Sequence, residues 1–151
     1  MEVKVKCLDP RAKLPAYATA GAAAADLCAL LEEPLTLAPG QRAMVPTGIA
    51  IQLPGPQWVA LVYARSGLAV KHGLALSNGV GVIDSDYRGE VKVGLVNLGQ
   101  ESYTLQPGER VAQMMIAPVA LAAFVPAQEL DDTARGAGGF GSTGTASLGG
   151  V

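Results

Sequence analysis

The chain has 151 residues, half of them apolar, and carries a formal net charge of −2 at pH 7, which fits one domain with a single core. This charge argues against a nucleic-acid polymer as partner, because binding a phosphate backbone requires a broad excess of Lys and Arg. The longest apolar stretch, Met114 to Ala127, is interrupted by Pro118 and Pro126 and is shorter than the about 20 residues of a membrane-spanning helix, so we expect no membrane protein.

The first residues, Met1 to Leu8, alternate charged residues with β-formers and lack the long apolar segment of a secretory signal. They predict a first strand and a cytoplasmic protein, in which Cys7 and Cys28 are expected to be buried thiols. Two cysteines and a single histidine, His72, are too few for a structural zinc site. Any metal bound here is expected to have oxygen ligands.

Short apolar and β-branched runs separated by Pro and Gly recur along the chain, a pattern typical of an antiparallel all-β domain. No long helical stripe accompanies them. The predicted strands are Val3–Leu8, Leu35–Leu37, Ala43–Leu53, Trp58–Ala64, Leu74–Ser77, Val91–Leu98, Tyr103–Leu105 and Val111–Pro118.

Two segments share a Leu-x-Pro-Gly-x-Arg pattern, Leu37 to Arg42 and Leu105 to Arg110. Pro followed by Gly suits a type II turn, in which the glycine supplies a positive φ. We therefore predict hairpin corners at both sites, as in a jelly roll or a related double-sheet fold. One shared hexapeptide is weak support for an internal duplication.

One short helix is predicted after Arg65-Ser66-Gly67, from Leu68 to His72. From Thr133 onward the chain is rich in Gly, Ser and Thr and has too few apolar residues to hold itself ordered. The expected organisation is a β domain over residues 1–132 and a flexible Gly-rich tail over residues 133–151.

The tail segment Arg135-Gly-Ala-Gly-Gly-Phe-Gly-Ser-Thr-Gly144 contains the letters of a dinucleotide-binding motif but lacks the strand and helix that this motif needs. Its arginine, two hydroxyls and unhindered N–H groups suit a polyphosphate, and Phe140 offers a flat surface for a base. Composition alone favours a plain flexible linker. Phe140 is the residue that this simpler interpretation does not explain.

A second candidate segment is the predicted turn from Asn78 to Glu90. An acidic residue there, Asp84 or Asp86, could serve as a general base or an indirect metal contact. Asp and Gly also favour solvated turns for local reasons. Asn78 could read a base edge, although Asn before Gly79 is equally a turn former.

Other polar residues stand beside or within apolar runs. Ser66 can cap the short helix, whose exposed N–H groups with Arg65 form an anion site. Asp26 and Gln113 each need a partner if they are buried, and the backbone alone could supply it. We assign His72 no role, because a surface or helix-end histidine is the simpler interpretation.

In this order and spacing, five segments resemble the motifs of the trimeric dUTPase family, which cleaves dUTP to dUMP and pyrophosphate. The five segments are Ala20–Leu27, Arg65–Ala69, Asn78–Glu90, Gly108–Val119 and Arg135–Gly144. The resemblance implies a jelly-roll-like protomer and a homotrimer whose three sites are built from neighbouring subunits. It also implies the family's roles, which are to limit uracil incorporation into DNA and to supply dUMP for thymidylate synthesis.

The resemblance assigns Asp84 as the catalytic carboxylate that deprotonates the water attacking the α-phosphorus. Tyr87 would exclude a ribose 2′-hydroxyl, and Phe140 would stack over the base. The uracil edge would be read by Asn78 and by the backbone of Gly79 to Ile83, which includes Gly81 and Val82.

The family's phosphate contacts fall on two sets of residues. One set is Arg65, Ser66, Gly67 and Gln113, and the other is Arg135, Gly141, Ser142 and Thr143. The cofactor would be Mg2+, held mainly by phosphate oxygens and waters. Asp26 would contact the metal ion only through a water.

This chain departs from the family's first motif, which usually has a glycine where Ala24 stands. Two rival functions stay open. A dCTP deaminase or bifunctional deaminase–dUTPase of the same superfamily carries an Arg-Ser-Ser segment and a glutamate base, whereas here Arg65-Ser66 precedes Gly67 and the matching strand has Gln113. A non-catalytic assembly module is the other, and the presence of Asp84, Tyr87 and a complete tail argues against it.

Overall fold

The computed structural model describes residues 1–142 and 144. Within these residues the chain forms eleven strands and one short helix. In chain order these are β1 (Lys4–Cys7), β2 (Ala16–Tyr17), β3 (Ala25–Cys28), β4 (Leu35–Leu37), β5 (Arg42–Gln52), β6 (Trp58–Ala64), α1 (Ser66–His72), β7 (Leu74–Leu76), β8 (Gly81–Ile83), β9 (Glu90–Asn97), β10 (Tyr103–Leu105) and β11 (Arg110–Pro118).

The strands form three antiparallel sheets, which confirms the all-β prediction. One sheet has the order β1-β5-β9-β7, another β2-β3-β11-β6-β8, and β10 and β4 form a two-stranded sheet. A single cluster of buried side chains draws on both large sheets, with Ile49, Val93 and Leu95 from the first and Leu27 and Ala112 from the second. Alternation along β9 buries Val91, Val93 and Leu95 and exposes Lys92.

The chain divides into two compact units, Met1–Leu121 and Ala122–Val151. All eleven strands lie in the first unit. The predicted boundary between residues 132 and 133 and the flexibility of the tail stay predictions. No helix among the described residues has the length and apolar character to cross a membrane.

Both Pro-Gly corners adopt the predicted turn. Gly40 and Gly108 have φ of 77° and 75°, and Gln41 and Glu109 donate to the carbonyls three residues before them. The prediction that the turns join hairpins is wrong, since β4 pairs with β10 rather than with β5. Each corner instead leads from the two-stranded sheet into a large one, because the buried Leu37 and Leu105 anchor β4 and β10 in the core.

Two strands that hold candidate residues escaped prediction, β3 and β8. β3 is formed by pairing with β11, where Met114 lies opposite Ala25, and β8 by pairing with β6. The burial predicted for the cysteines is wrong for Cys7, which is exposed because it lies on edge strand β1, and Cys28 is only partly buried.

Candidate active site

The segment between β7 and β9 forms the wall of a pocket of about 370 Å³. Sequence-predicted residues on its lining are Asn78, Gly81, Val82, Ile83, Asp84 and Tyr87. The remaining wall comes from both large sheets, through Val62 of β6 and Val91 and Val93 of β9. The structure therefore places Asn78, the β8 residues and Tyr87 around one cavity. Phe140, which was also predicted to contact the base, is not on this lining.

Local hydrogen bonds explain the shape of this segment. Gly79 has a φ of 74° and donates its N–H to the Leu76 carbonyl at 3.0 Å, which closes the first turn. After β8, the Tyr87 N–H donates to the Asp84 carbonyl at 3.2 Å, and the Arg88 guanidinium donates to the Ser85 carbonyl at 2.8 Å. These bonds fix the backbone on either side of the Asp84 carboxylate.

Asp84 and Tyr87 differ in how they are held. The Asp84 carboxylate is exposed and forms none of the ion pairs found within residues 1–142 and 144. Tyr87 is 46% exposed, and its hydroxyl donates to the Glu90 carbonyl at 3.0 Å. The Asp84 carboxylate is thus open to solvent, while the phenol ring is tied to the start of β9.

A second cluster lies on the five-stranded sheet around Asp26 of β3. Its two carboxylate oxygens accept from Arg65 Nε and from an Arg110 guanidinium nitrogen, each at 2.9 Å. The Asp26 side chain is only 14% exposed, and two cations compensate its charge. The question of a partner for Asp26 is therefore answered by two arginines rather than by backbone.

Gln113 lies opposite Asp26 in the β3–β11 pair, and its side-chain amide donates to the Ala64 carbonyl at 2.9 Å. Ser66 and Gly67 are exposed at the start of α1. The predicted cap is wrong: Arg65 occupies the N-cap position with an extended backbone and makes no side-chain cap bond, which places Ser66 inside the helix. Arg65 thus leaves the first N–H groups of the helix without a bond from the N-cap side chain.

The tail residues lie in the second compact unit. Arg135 Nε donates to the Gly138 carbonyl at 2.8 Å, and the Ser142 N–H donates to the Gly139 carbonyl at 3.0 Å. Phe140 is fully exposed with a φ of 47°, and Gly141 follows it with a φ of 94°. Thr143 lies outside the described residues.

The predicted residues thus fall into three groups. None of Asp26, Arg65 or Gln113 lines the pocket between β7 and β9, which we call the hairpin pocket. The predicted residues on its lining, the hairpin group, are Asn78, Gly81, Val82, Ile83, Asp84 and Tyr87. Asp26 and Gln113 lie opposite each other on the five-stranded sheet, and Arg65, directly after β6, bonds to Asp26. The tail group, Arg135, Phe140, Gly141, Ser142 and Thr143, belongs to the second unit.

Arg110 and Tyr103 were missed as candidates. Arg110 was visible as the last residue of the second Leu-x-Pro-Gly-x-Arg pattern, but its partner is 84 positions away. Tyr103 donates to Glu109 Oε1 at 2.6 Å, and His72 at the end of α1 packs on its ring. Burial, assisted by the bond to Glu109, raises the pKa of Tyr103 to about 12.

Comparison with known proteins identifies the family. The family model for dUTPase matches residues 10–144, a range that contains every candidate named above. The chain belongs to the dUTPase family. The deoxyuridine 5'-triphosphate nucleotidohydrolase of Desulfitobacterium hafniense (strain DSM 10664 / DCB-2) is 57% identical over 136 residues, covering 90% of each chain.

Solved structures from the dUTPase family share the fold. A variant of the Staphylococcus bacteriophage 80alpha dUTPase with dUpNHpp matches with a TM-score of 0.86 at 25% identity, covering 95% of this chain and 99% of that one. A variant of the dUTPase from phage phi11 of S. aureus, described as revealing the coordination of a structural Mg(II) ion, matches with a TM-score of 0.77. At 21% identity, covering 87% of this chain and 100% of that one, the phi11 structure supports the fold alone.

Proposed function

We propose that this chain hydrolyses dUTP to dUMP and pyrophosphate by attack of water on the α-phosphorus. The observation that carries the proposal is the grouping of Asn78, Asp84 and Tyr87 around one pocket in a member of the dUTPase family. By this activity the protein limits uracil incorporation into DNA and supplies dUMP for thymidylate synthesis. We also propose a cytoplasmic location, a reducing compartment that suits the unbridged Cys7 and Cys28.

Asp84 is the proposed general base. Its carboxylate is exposed on the pocket wall between two hydrogen-bonded turns, so it can hold a water in a fixed direction. Hydrolysis at phosphorus depends mostly on positioning and on charge neutralisation, and it needs no covalent nucleophile from the protein. One fixed carboxylate beside a set of donors is enough for this chemistry.

The pocket supplies the proposed selectivity for uracil and deoxyribose. Asn78 and the backbone of β8 offer donors and acceptors to the base edge, and cytosine presents an amine where uracil presents an acceptor. Tyr87 lines the same pocket and is held through its hydroxyl. We assign it the role of closing the space that a ribose 2′-hydroxyl would need.

We assign the binding of the phosphates to two other sets of residues, one around Asp26 and the start of α1 and one in the tail. Arg65, Ser66, Gly67 and Gln113 bind the chain of phosphates. Arg135, Gly141, Ser142 and Thr143 of the tail bind its γ end, while Phe140 stacks on the base. Asp26 holds the Arg65 guanidinium at 2.9 Å and so orients a phosphate donor. Closure of the tail over bound nucleotide would complete the donor set and exclude water.

The residues fit a magnesium ion held mainly by substrate. No cluster of three or more His, Cys, Asp or Glu able to hold a metal occurs within the described residues, so the ligands would come from phosphate oxygens and water. Asp26 keeps both oxygens on arginines, which suits a contact through a water rather than direct coordination. When bound, Mg2+ would neutralise phosphate charge.

We propose a homotrimer with sites shared between subunits. Two features support it: the hairpin pocket and the Asp26 cluster are separate within one chain, and large apolar side chains such as Tyr17, Met44 and Val82 are exposed. Neighbouring subunits would cover these side chains and bring the two groups to one nucleotide. Sedimentation of the purified protein at three protomer masses would agree, whereas a monomer that is fully active would contradict the shared site.

A nucleotide panel tests the function. The purified protein with Mg2+ should release pyrophosphate from dUTP, and far more slowly from dCTP, dTTP and UTP, because each competitor leaves a buried polar group unpaired or lacks room. Comparable rates on all four would contradict the proposal. Ammonia release from dCTP would favour the deaminase, and no turnover of any nucleotide would favour an assembly module.

A further inference from the structure

Gly89 lies directly against the ring of Tyr87. A Cβ built on Gly89 would sit 2.6 Å from the ring carbon Cζ and 3.0 Å from Cε2, and closer still to the hydroxyl oxygen. Real Cβ atoms do not approach other heavy atoms this closely. The ring of Tyr87 therefore occupies the space that any side chain at position 89 would take.

The backbone of Gly89 does not itself require glycine. Its φ lies outside the left-handed region, in contrast to Gly79 in the same segment. The φ of Gly89 therefore imposes no requirement for glycine at this position. The absence of a side chain at position 89 thus serves the Tyr87 ring rather than the turn.

Two contacts hold the Tyr87 ring in this position. The atoms at its hydroxyl end lie against Gly89, and its hydroxyl donates to the Glu90 carbonyl at 3.0 Å. Tyr87 lines the pocket, whereas Gly89 is not among the lining residues. A methyl group at position 89 would push the Tyr87 ring away from Gly89 and break its hydrogen bond to the Glu90 carbonyl. The Tyr87 side chain would then rotate to another position.

We propose that Gly89 is a positioning residue for sugar selectivity: by lacking a side chain, it seats the Tyr87 ring where a 2′-hydroxyl cannot fit. This role rests on the proposed hydrolysis of dUTP and adds a residue that acts through another. The exclusion of a hydroxyl by shape depends on the exact place of one wall. A displaced ring leaves room for ribose and also loosens the contact with deoxyribose.

The test compares Gly89→Ala with Gly55→Ala. A Cβ at Gly55 would also meet an atom at 2.5 Å, but that atom is the end of the Gln57 side chain on an exposed turn, which can move aside. For Gly89→Ala the ratio of kcat/KM on dUTP to kcat/KM on UTP should fall by about tenfold or more. Gly55→Ala should keep the wild-type ratio. An unchanged ratio in Gly89→Ala would overturn the inference.

A double-mutant cycle separates this role from a general structural one. Tyr87→Ala removes the ring, so adding Gly89→Ala to it should change the ratio no further. A further fall of the ratio in the double variant would overturn the inference, because Gly89 would then act through something else. If Gly89→Ala fails to fold, Tyr87→Ala with Gly89→Ala should fold again, and its failure to do so would also overturn it.

The wild-type control distinguishes the two proposals. If the wild-type protein hydrolyses dUTP and Gly89→Ala keeps the wild-type selectivity for dUTP over UTP, only the proposed role of Gly89 is contradicted. If the wild-type protein does not hydrolyse dUTP, the proposed function is contradicted, and so is the role of Gly89 in that function.

Discussion

At the scale of single residues, two similar carboxylates in one segment have different surroundings. Asp84 and Asp86 are both exposed and stand two positions apart. Asp84 lines the pocket with Asn78 and Tyr87, whereas Asp86 is not on that lining. Chemical type alone could not distinguish them, so their positions relative to the pocket make Asp86 a matched control for Asp84.

Asp84→Asn should lower kcat for dUTP hydrolysis by roughly 10²–10⁴-fold, the usual contribution of a general base, because an amide cannot accept the proton from water. Nucleotide binding should persist, since the donors to base and phosphates are unchanged. Pyrophosphate release gives the rate, and calorimetric titration with dUTP gives the affinity. Asp86→Asn should behave like wild type; an active Asp84→Asn protein would remove Asp84 from its role.

Tyr103 makes stability sensitive to alkaline pH. An unfolded phenol loses its proton near its ordinary pKa of 10, whereas burial and the bond to Glu109 keep the folded phenol protonated up to a pKa of about 12. The stabilisation is therefore fully present below pH 10 and is lost as pH rises through about 12, because the unfolded state binds fewer protons there.

Urea unfolding at a fixed protomer concentration across this pH range checks the effect. The free energy of unfolding of the wild type should fall more steeply between pH 10 and about 12 than that of Tyr103→Phe, which has no phenolic proton to lose. Equal slopes for the two proteins would show that Tyr103 does not contribute to the alkaline transition.

At the scale of elements, the pairing of β5 with β9 contains an irregularity beside the pocket. The register shifts between Pro46 and Ala50, and Gly48 within this bulge has a φ of 71°. Its N–H donates to Glu90 Oε1 at 2.8 Å, so the bulge is tied to the start of β9. A Cβ at Gly48 would meet Leu30 Cδ2 at 2.6 Å and the Ala12 Cβ at 2.9 Å.

Gly48→Ala and Gly40→Ala separate strain from crowding. Gly40 has a similar φ of 77° but open space around it, so its substitution should cost only the left-handed strain of roughly 1–2 kcal/mol. Gly48→Ala should cost about 1–3 kcal/mol more, because its methyl group also overpacks against Leu30 and Ala12. Urea unfolding of both variants measures the difference, and equal losses would contradict the crowding at Gly48.

The composition and length of each strand explain why some strands could be predicted from the sequence and others could not. Strands rich in Val, Ile and Leu, such as β6 and β9, have a strong intrinsic signal and were predicted almost to the residue. β3 consists of Ala25-Asp-Leu-Cys28, which lacks β-branched and aromatic residues, and β8 of only three residues, Gly81-Val-Ile83, too short a run for a clear strand signal. These two are extended because β11 and β6 pair with them, which is a tertiary effect.

At the scale of the whole molecule, the described core and the tail are separate units. The first unit, Met1–Leu121, contains all eleven strands and the buried cluster. The tail, in turn, carries Arg135 and Phe140, to which we assign contacts with substrate. Folding and completion of the site are therefore expected to depend on different parts of the chain.

A chain ending at residue 134 should fold normally and lose most of its activity, since it keeps the core but lacks the tail donors and Phe140. A chain ending at residue 144, the last residue matched to the family, serves as the control and should stay active. Circular dichroism and sedimentation report folding and assembly, and pyrophosphate release reports activity. Full activity in the shorter chain would mean that the tail is only a linker.

The sequence by itself determined the features that depend on residues close together along the chain. Alternating apolar runs specified most strands, Pro-Gly pairs specified the turns at Gly40 and Gly108, and the ordered motifs specified the family. Local backbone preferences and hydrophobic periodicity are properties of short segments, so they can be read before the chain is folded.

Only the tertiary structure decided what joins distant segments. It paired β4 with β10 instead of β5, gave Asp26 a second arginine 84 positions away, and kept the hairpin pocket apart from the Asp26 cluster within one chain. Such choices depend on which buried surfaces fit together across the whole core, and many pairings satisfy the same local pattern. Packing of the complete chain selects one of them.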